Sequence, residues 1–398
     1  MIVYMSAIGA IALLPLLLHW YAKASAKKPT IYSKPNSRFT KTLHENVPSL
    51  GEVFVPIWWC INGNLQTLCR QLFRSCPRLP FEREILEFSD GGIAALDWLH
   101  PMNDTKTAAP IVITLPGITG STHDSAYILH LAMEAREMGY RFAVLNPRGL
   151  GGVPLLTGQT YNAAWTADVR HAIEAVGQKY PQAPLLGVGY SMGGMILWNY
   201  LSKCASREES GLRGALIVSA PWNPAQATIC IEEFWPNLLF NRILARRLCR
   251  IVEPYRHLFE ERGVNMERVL CSRRVRDFDI SFVTPAFGYG HWTEYYHDAA
   301  LHYKVQAIKT PTLCLNSADD CFSPTRSIPF EEIQRSDHVA LMLTSHGGHQ
   351  AYMDCLNPNA PGLVERLFRE RTCVQYSPAG HQLWCGTVGS KSRGRSVV

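Results

Sequence analysis

The 398-residue chain lacks any C-x-x-C pair, any Cys or His at zinc-finger or H-E-x-x-H spacing, any P-loop and any dinucleotide fingerprint. Those absences remove zinc sites, glycine-cradled nucleotide phosphates and dinucleotide cofactors from the chemistry the chain invites. The twelve cysteines are scattered. A chain of this length buries enough core to need no disulfide framework, so they read mostly as reduced, buried thiols. Charge is sparse, at 18% of residues, and the formal +6 is spread out with small clusters such as Arg246-Arg247 and Arg273-Arg274. That pattern reads as solvated surface and not as a nucleic-acid footprint. Hydrophobic residues make up 47%, the composition of a folded protein and not of a disordered one.

One stretch has no charge at all. Residues 2–22, IVYMSAIGAIALLPLLLHWYA, contain no Asp, Glu, Lys or Arg. At about 1.5 Å per residue such a helix spans roughly 30 Å, enough to cross the hydrocarbon core of a bilayer. The lysines Lys23, Lys27 and Lys28 follow the apolar run instead of preceding it, which favours an uncleaved anchor over a cleaved signal peptide. The positive-inside rule then turns the body toward the cytosol. A sequon at Asn103-Asp104-Thr105 would matter only for a luminal body, and the sequence leaves the topology open.

Residues 29–80 are rich in proline, aromatics and turn formers, with no clean period, and read as an extended connector wrapped on the domain. From Arg83 the pattern becomes regular. Glu84–Phe88 and Ile93–Leu99 flank Asp90-Gly91-Gly92 as a hairpin. Pro110–Leu115 is a continuous apolar run, as for a strand buried on both faces. Alternation follows: helix over Tyr127–Met138, strand Arg141–Leu145, helix Ala164–Tyr180, strand Pro184–Tyr190, helix Met192–Cys204 and strand Ala215–Ala220. Thr312–Asn316 and Val339–Leu343 supply two further strands and Leu363–Arg369 a last helix. This order predicts an α/β fold with a mainly parallel sheet covered by helices. Residues 222–305 interrupt the alternation and read as a cap over the site, a helical packing layer, or both. The organisation expected is an anchor at 1–22, a connector at 23–82, a catalytic domain at 83–371 and a flexible tail at 372–398.

The chemistry centres on Gly187-Val188-Gly189-Tyr190-Ser191-Met192-Gly193-Gly194. It contains G-x-S-x-G where a buried strand gives way to an apolar helix, the context of a nucleophile elbow. The turn is tight, so glycines two before and two after keep neighbouring side chains clear of the Ser191 hydroxyl. The helix that starts there points its amide end at the site and favours developing negative charge. A serine needs a base, and the base needs an orienting acid, each following a later strand in the order Ser, acid, His. Asn316-Ser317-Ala318-Asp319-Asp320 and Ser345-His346-Gly347-Gly348-His349 stand at those places. His349 is the expected base, since two glycines let its loop turn inward, with His346 nearer the strand. Asp319 is the expected acid, with Asp320 the alternative. The oxyanion donors expected are the backbone N–H groups of Met192 and of Ile118, in Leu115-Pro116-Gly117-Ile118-Thr119-Gly120. This mechanism calls for neither metal nor cofactor.

These motifs resemble the amino-terminally anchored branch of the α/β-hydrolases that includes membrane-bound phospholipases and related esterases. The likeness rests on the apolar anchor with Ala26-Lys27-Lys28-Pro29, on Asp90-Gly91-Gly92, Leu96-Asp97-Trp98 and Asn146-Pro147-Arg148-Gly149, and on the Ser191, Asp319-Asp320 and Gly347-Gly348-His349 neighbourhoods. It covers about residues 1–370. It implies an α/β-hydrolase fold, a triad of Ser191, Asp319 and His349, a single-pass membrane anchor, and a glycerophospholipid acyl ester as substrate. The branch usually carries a glycine and an aromatic soon after the histidine, and here Gln350-Ala351-Tyr352 follows, without the glycine. Three functions compete: a phospholipid esterase, a neutral-lipid or small-ester hydrolase or acyltransferase, and an inactive hydrolase-fold scaffold. Retention of every triad residue type weighs against the last.

Overall fold

The computed structural model describes residues 2–370 apart from 104–107, 234, 355–356 and 358. The sequon residues Asp104 and Thr105 and the tail 372–398 lie outside the described residues. Nine strands pair in one sheet in the order β1-β9-β8-β7-β6-β4-β5-β3-β2, where β1 is Thr30–Ser33, β2 Glu82–Glu87, β3 Ile93–Leu99, β4 Ile111–Leu115, β5 Arg141–Asn146, β6 Leu185–Tyr190, β7 Gly214–Val218, β8 Thr312–Ser317 and β9 Val339–Thr344. Strands β4 to β9 run parallel, while β1, β2 and β3 pair antiparallel at the two edges. The central strands β4 and β6 to β8 are buried at every residue. Their unbroken apolar runs follow from cover on both faces.

The helices include α1 (Ile2–Ser25), α2 (Arg38–Asn46), α3 (Gly63–Phe73), α4 (Ala126–Glu137), α5 (Ala167–Lys179), α6 (Met192–Ser202), α7 (Arg207–Ser210), α8 (Pro224–Glu233) and α9 (Trp235–Val252). One core cluster joins the inner face of α5 and α6 to the sheet, and a second joins α4 and the last helix, Leu363–Arg369, to its other face. The long interval between β7 and β8 is helical throughout most of its length. Among the described residues no disulfide forms, and Cys60, Cys69, Cys204, Cys249, Cys314 and Cys321 are buried.

Two expectations meet a different outcome. The segment read as an extended connector carries an edge strand and two helices: β1 pairs with β9, Thr30 opposite Leu343, and α2 and α3 pack on the body. The apolar terminus is helical as α1, but among the described residues no helix is long and apolar enough to cross a membrane. The span expected at 1–22 therefore rests on the sequence.

Candidate active site

Ser191 stands at the sharp corner between β6 and α6, with φ 50° and ψ −118°. A non-glycine residue holds this conformation only where its surroundings over-determine it. Here the Ser191 N–H donates to Val218 O at 2.9 Å, and Met195 N–H returns to Ser191 O at 3.0 Å. The two motif glycines permit the corner by close approach. A side chain at Gly193 would sit 2.3 Å from the carbonyl oxygens of Leu115 and Pro116, and one at Gly189 would meet Gly194 Cα at 2.6 Å.

His349, the residue expected as base, comes from the loop after β9. His349 Nε2 lies 2.9 Å from Ser191 Oγ, and its Nδ1 lies 2.9 and 3.0 Å from the two carboxylate oxygens of Asp320. A proton on Nδ1 facing the carboxylate leaves Nε2 free to accept from the serine hydroxyl. Asp320 is only 3% exposed, and its Oδ1 also accepts from Phe322 N–H at 2.8 Å and Ser323 N–H at 3.2 Å. The Phe322 ring covers the imidazole with centroids 4.5 Å apart.

The acid expected from sequence was Asp319, and the structure corrects it by one residue. Asp319 Oδ1 accepts from Gly348 N–H at 2.9 Å, and its Oδ2 stands 3.6 Å from His346 Nδ1. It shapes the histidine loop from outside instead of touching the imidazole. The physical reason is the turn after β8, which aims consecutive side chains in different directions. The Asp320 carboxyl is turned inward, and the two backbone N–H groups that follow it hold it there.

Sequence reasoning missed the support of the histidine loop, which comes from α3. Asn62 caps this helix by accepting from Asn64 and Leu65 N–H groups. Gly63 then lies so close to the acid and histidine loops that a side chain there would meet Asp319 O at 2.3 Å, and one at Gly348 would meet Gly63 O at 2.2 Å. Three polar side chains of the helix hold the loop backbone: Thr67 Oγ1 accepts from His349 N–H at 2.8 Å, Arg70 Nη1 donates to Ala351 O, and Gln66 Oε1 accepts from Met353 N–H at 3.3 Å. Gln66 and Arg70 are 0% and 2% exposed. Burial, with Arg74 nearby, pulls the Arg70 guanidinium down to about 10, and Glu365 opposes the shift. The signal was in the sequence as leucines at helical spacing, Leu65, Leu68 and Leu72, but these face outward and the polar face is the buried one.

On the opposite side of Ser191, the loop after β4 turns through Gly120 N–H to Gly117 O at 2.9 Å, and Gly117 N–H donates to Tyr127 Oη at 3.0 Å. Ile118 and Met192, the residues expected to present oxyanion donors, line one cavity with Ser191. That cavity measures about 1000 Å³ with its mouth and runs under α8 and α9, where Ile231, Leu244, Leu248 and Phe282 make its walls apolar. Among the described residues, Asp279 is the one carboxylic side chain on its wall. It is bonded by Tyr296 Oη at 2.9 Å, and burial raises its pKa to about 7.

Such an arrangement activates a hydroxyl for attack on an acyl carbon and offers an apolar channel beside it. Comparison with known proteins agrees with the fold. Residues 110–355 match the family model described as the alpha/beta hydrolase fold. The chain is 48% identical over 356 residues to "Protein abhd-3.2" of Caenorhabditis elegans, covering 89% of this chain and 94% of that protein. It is 37% identical over 370 residues to "Phospholipase ABHD3" of Homo sapiens, covering 92% of this chain and 88% of that protein.

Proposed function

Because the chain belongs to the α/β-hydrolase fold family, we propose that it hydrolyses acyl esters of glycerophospholipids, with Ser191 as nucleophile, His349 as base and Asp320 as the orienting acid. The observation that carries the reading is the unbroken hydrogen-bond chain from Asp320 through His349 to Ser191 Oγ, opening on an apolar cavity. The phospholipid follows from relatives named phospholipase.

In the first half-reaction Ser191 Oγ attacks the ester carbonyl while its proton passes to His349 Nε2. The oxyanion receives hydrogen bonds from the N–H groups of Met192 and Ile118, and the start of α6 adds its dipole. Collapse expels the lysolipid oxygen, which takes the proton from His349. Water, deprotonated by the same imidazole, then releases the acyl group from Ser191. No cofactor is needed. The helical segment 222–305 acts as the cap that receives the acyl chain, and 1–22 anchors the chain in the bilayer by a single pass, which keeps the site beside its substrate.

The test is fatty-acid release from phospholipid by detergent-solubilised wild type and Ser191→Ala, followed by mass spectrometry. Release lost in the variant supports the proposal. No release by wild type that nonetheless labels with a fluorophosphonate keeps the serine hydrolase and discards the phospholipid.

A further inference from the structure

Helix α3 is amphipathic in the wrong sense for a soluble surface. Its polar Gln66, Thr67 and Arg70, with Arg74 at its C-cap, are buried, whereas Leu65, Leu68, Leu72 and Phe73 are 40%, 43%, 65% and 57% exposed. The amino-terminal end of α9 meets that of α3, where Asn64 Nδ2 donates to Asn237 Oδ1 at 3.0 Å. One residue from that bond on each helix an exposed leucine begins, Leu65 on α3 and Leu238 on α9. The outer face of α9 continues with Leu239 and Ile243, 56% and 41% exposed, while its inner face supplies Leu244, Leu248, Ile251 and Val252 to the cavity that holds Ser191.

Further along the same outer face stand Arg242, Arg246, Arg247 and Arg250, all exposed. The sequence of α9 contains no acidic residue, and none of the four arginines has a carboxylate partner among the described residues. An apolar patch grading into unpaired arginines along one helix face is the composition of a helix that lies in a membrane interface. The arginines select phosphate-bearing, net anionic headgroups, since each cation near such a surface gains about 1 kcal/mol. Continuity points the same way. α1 leads into β1, whose first residue pairs beside the carboxyl end of β9, the sheet edge that carries the site.

We propose that the outer faces of α3 and α9 together dock on an anionic bilayer surface, with the leucines and Ile243 among the acyl chains and the arginines at the phosphates. The proposal rests on the lipid-ester reading for its purpose and not for its test. In it the cap helix α9 has lipid on one side and the acyl cavity on the other, so a lipid leaving the bilayer passes around a single helix to reach Ser191. Stable docking by α1 alone would leave the body tumbling above the surface, and the second contact fixes which edge faces down.

The experiment uses the full-length chain carrying Ser191→Ala, so that lipid is not consumed, in phosphatidylcholine discs with or without about one third phosphatidylserine. Hydrogen exchange is followed in peptides covering residues 63–73 and 235–252. The result expected is exchange slowed about tenfold in both peptides in anionic discs relative to detergent, and loss of that protection in the double variant Arg246→Glu, Arg247→Glu. In parallel, Leu239→Ser with Ile243→Ser on the active background lowers hydrolysis of disc lipid about tenfold and leaves a water-soluble short-chain ester within about twofold. Exchange that is the same in detergent, neutral and anionic discs overturns the proposal. So does protection that grows with protein concentration in the absence of lipid, which would make a second copy the occupant. A wild type that turns over no ester at all fails the hydrolase reading alone, because the exchange arms do not depend on catalysis.

Discussion

Replacing Asp320 by Asn keeps the side chain's shape and removes the charge facing His349. The structure dictates how the amide would sit. Asp320 Oδ1 accepts from the backbone N–H groups of Phe322 and Ser323 as well as facing the imidazole. An asparagine must leave its oxygen with those two donors, which turns its NH2 toward His349 Nδ1. That NH2, at the position 2.9 Å from Nδ1, favours the tautomer in which Nδ1 accepts, so the proton shifts to Nε2, and in that form Nε2 no longer takes the Ser191 proton. In the serine-protease template, on a different fold, the corresponding exchange lowers kcat on the order of ten-thousandfold, which is about 5 kcal/mol of transition-state stabilisation. The same fall is expected here. Asp319→Asn, by contrast, retains an oxygen able to accept the Gly348 N–H, so its loss stays within about tenfold, or about 1.4 kcal/mol. Both variants are compared by kcat and KM on a soluble ester, with fluorophosphonate titration of competent sites and thermal unfolding to certify the fold. Asp320→Asn within about tenfold of wild type, alongside a collapse in Asp319→Asn, would refute the reasoning and restore the acid expected from sequence.

Three further outcomes follow from the same geometry. Thr67→Val removes the acceptor of the His349 N–H; kcat should fall about tenfold with KM nearly unchanged, and Thr67→Ser should recover it, whereas an equal loss in both variants would mean a packing effect. Asp279 titrates near pH 7 in the folded protein against 3.8 ordinarily, because of burial. A raised carboxyl stabilises fully only below its unfolded pKa, and that contribution is lost as pH climbs through the folded one, so the unfolding free energy of Asp279→Asn relative to wild type should grow by about 4 kcal/mol from pH 4 to pH 8. A gap that stays constant between those pH values in thermal melts contradicts this. Gly193→Ala places a methyl 2.3 Å from two carbonyl oxygens and should destabilise by about 2 kcal/mol and cost at least about a hundredfold in activity, read by melting and turnover.

Much of this was legible in the chain because the central strands are buried on both faces. Ile111–Leu115 and Leu185–Tyr190 carry apolar runs that no loop sustains, and the Ser191 motif falls at the seam where such a run becomes a helix. The choice between Asp319 and Asp320 was not legible, since both follow β8 and only the backbone of the turn decides which points inward. Helix α3 hid for a different reason. A hydrophobic period locates a helix on the assumption that its apolar face is the buried one, and in α3 the buried side chains are Gln66, Thr67 and Arg70. β1 is four residues long and half-buried at a sheet edge, too short to show alternation.

The inversion of α3 has a single physical origin. The histidine loop turns through Gly347, Gly348 and Gln350 at φ 150°, 57° and 65°, a path that leaves backbone groups at His349, Ala351 and Met353 outside any sheet ladder. Buried backbone N–H and C=O groups must find partners. A helix packed against that loop has to meet them with side chains that donate and accept, so Gln66, Thr67 and Arg70 are drawn inward and the leucines at the intervening positions have only the outside left. Gathered on one face with Phe73, the exposed leucines form a contiguous apolar patch, the kind of surface that marks an interaction site. The polar needs of the histidine loop and the exposed apolar face are thus two sides of one eleven-residue helix, which ties residues 63–73 to the loop that carries His349.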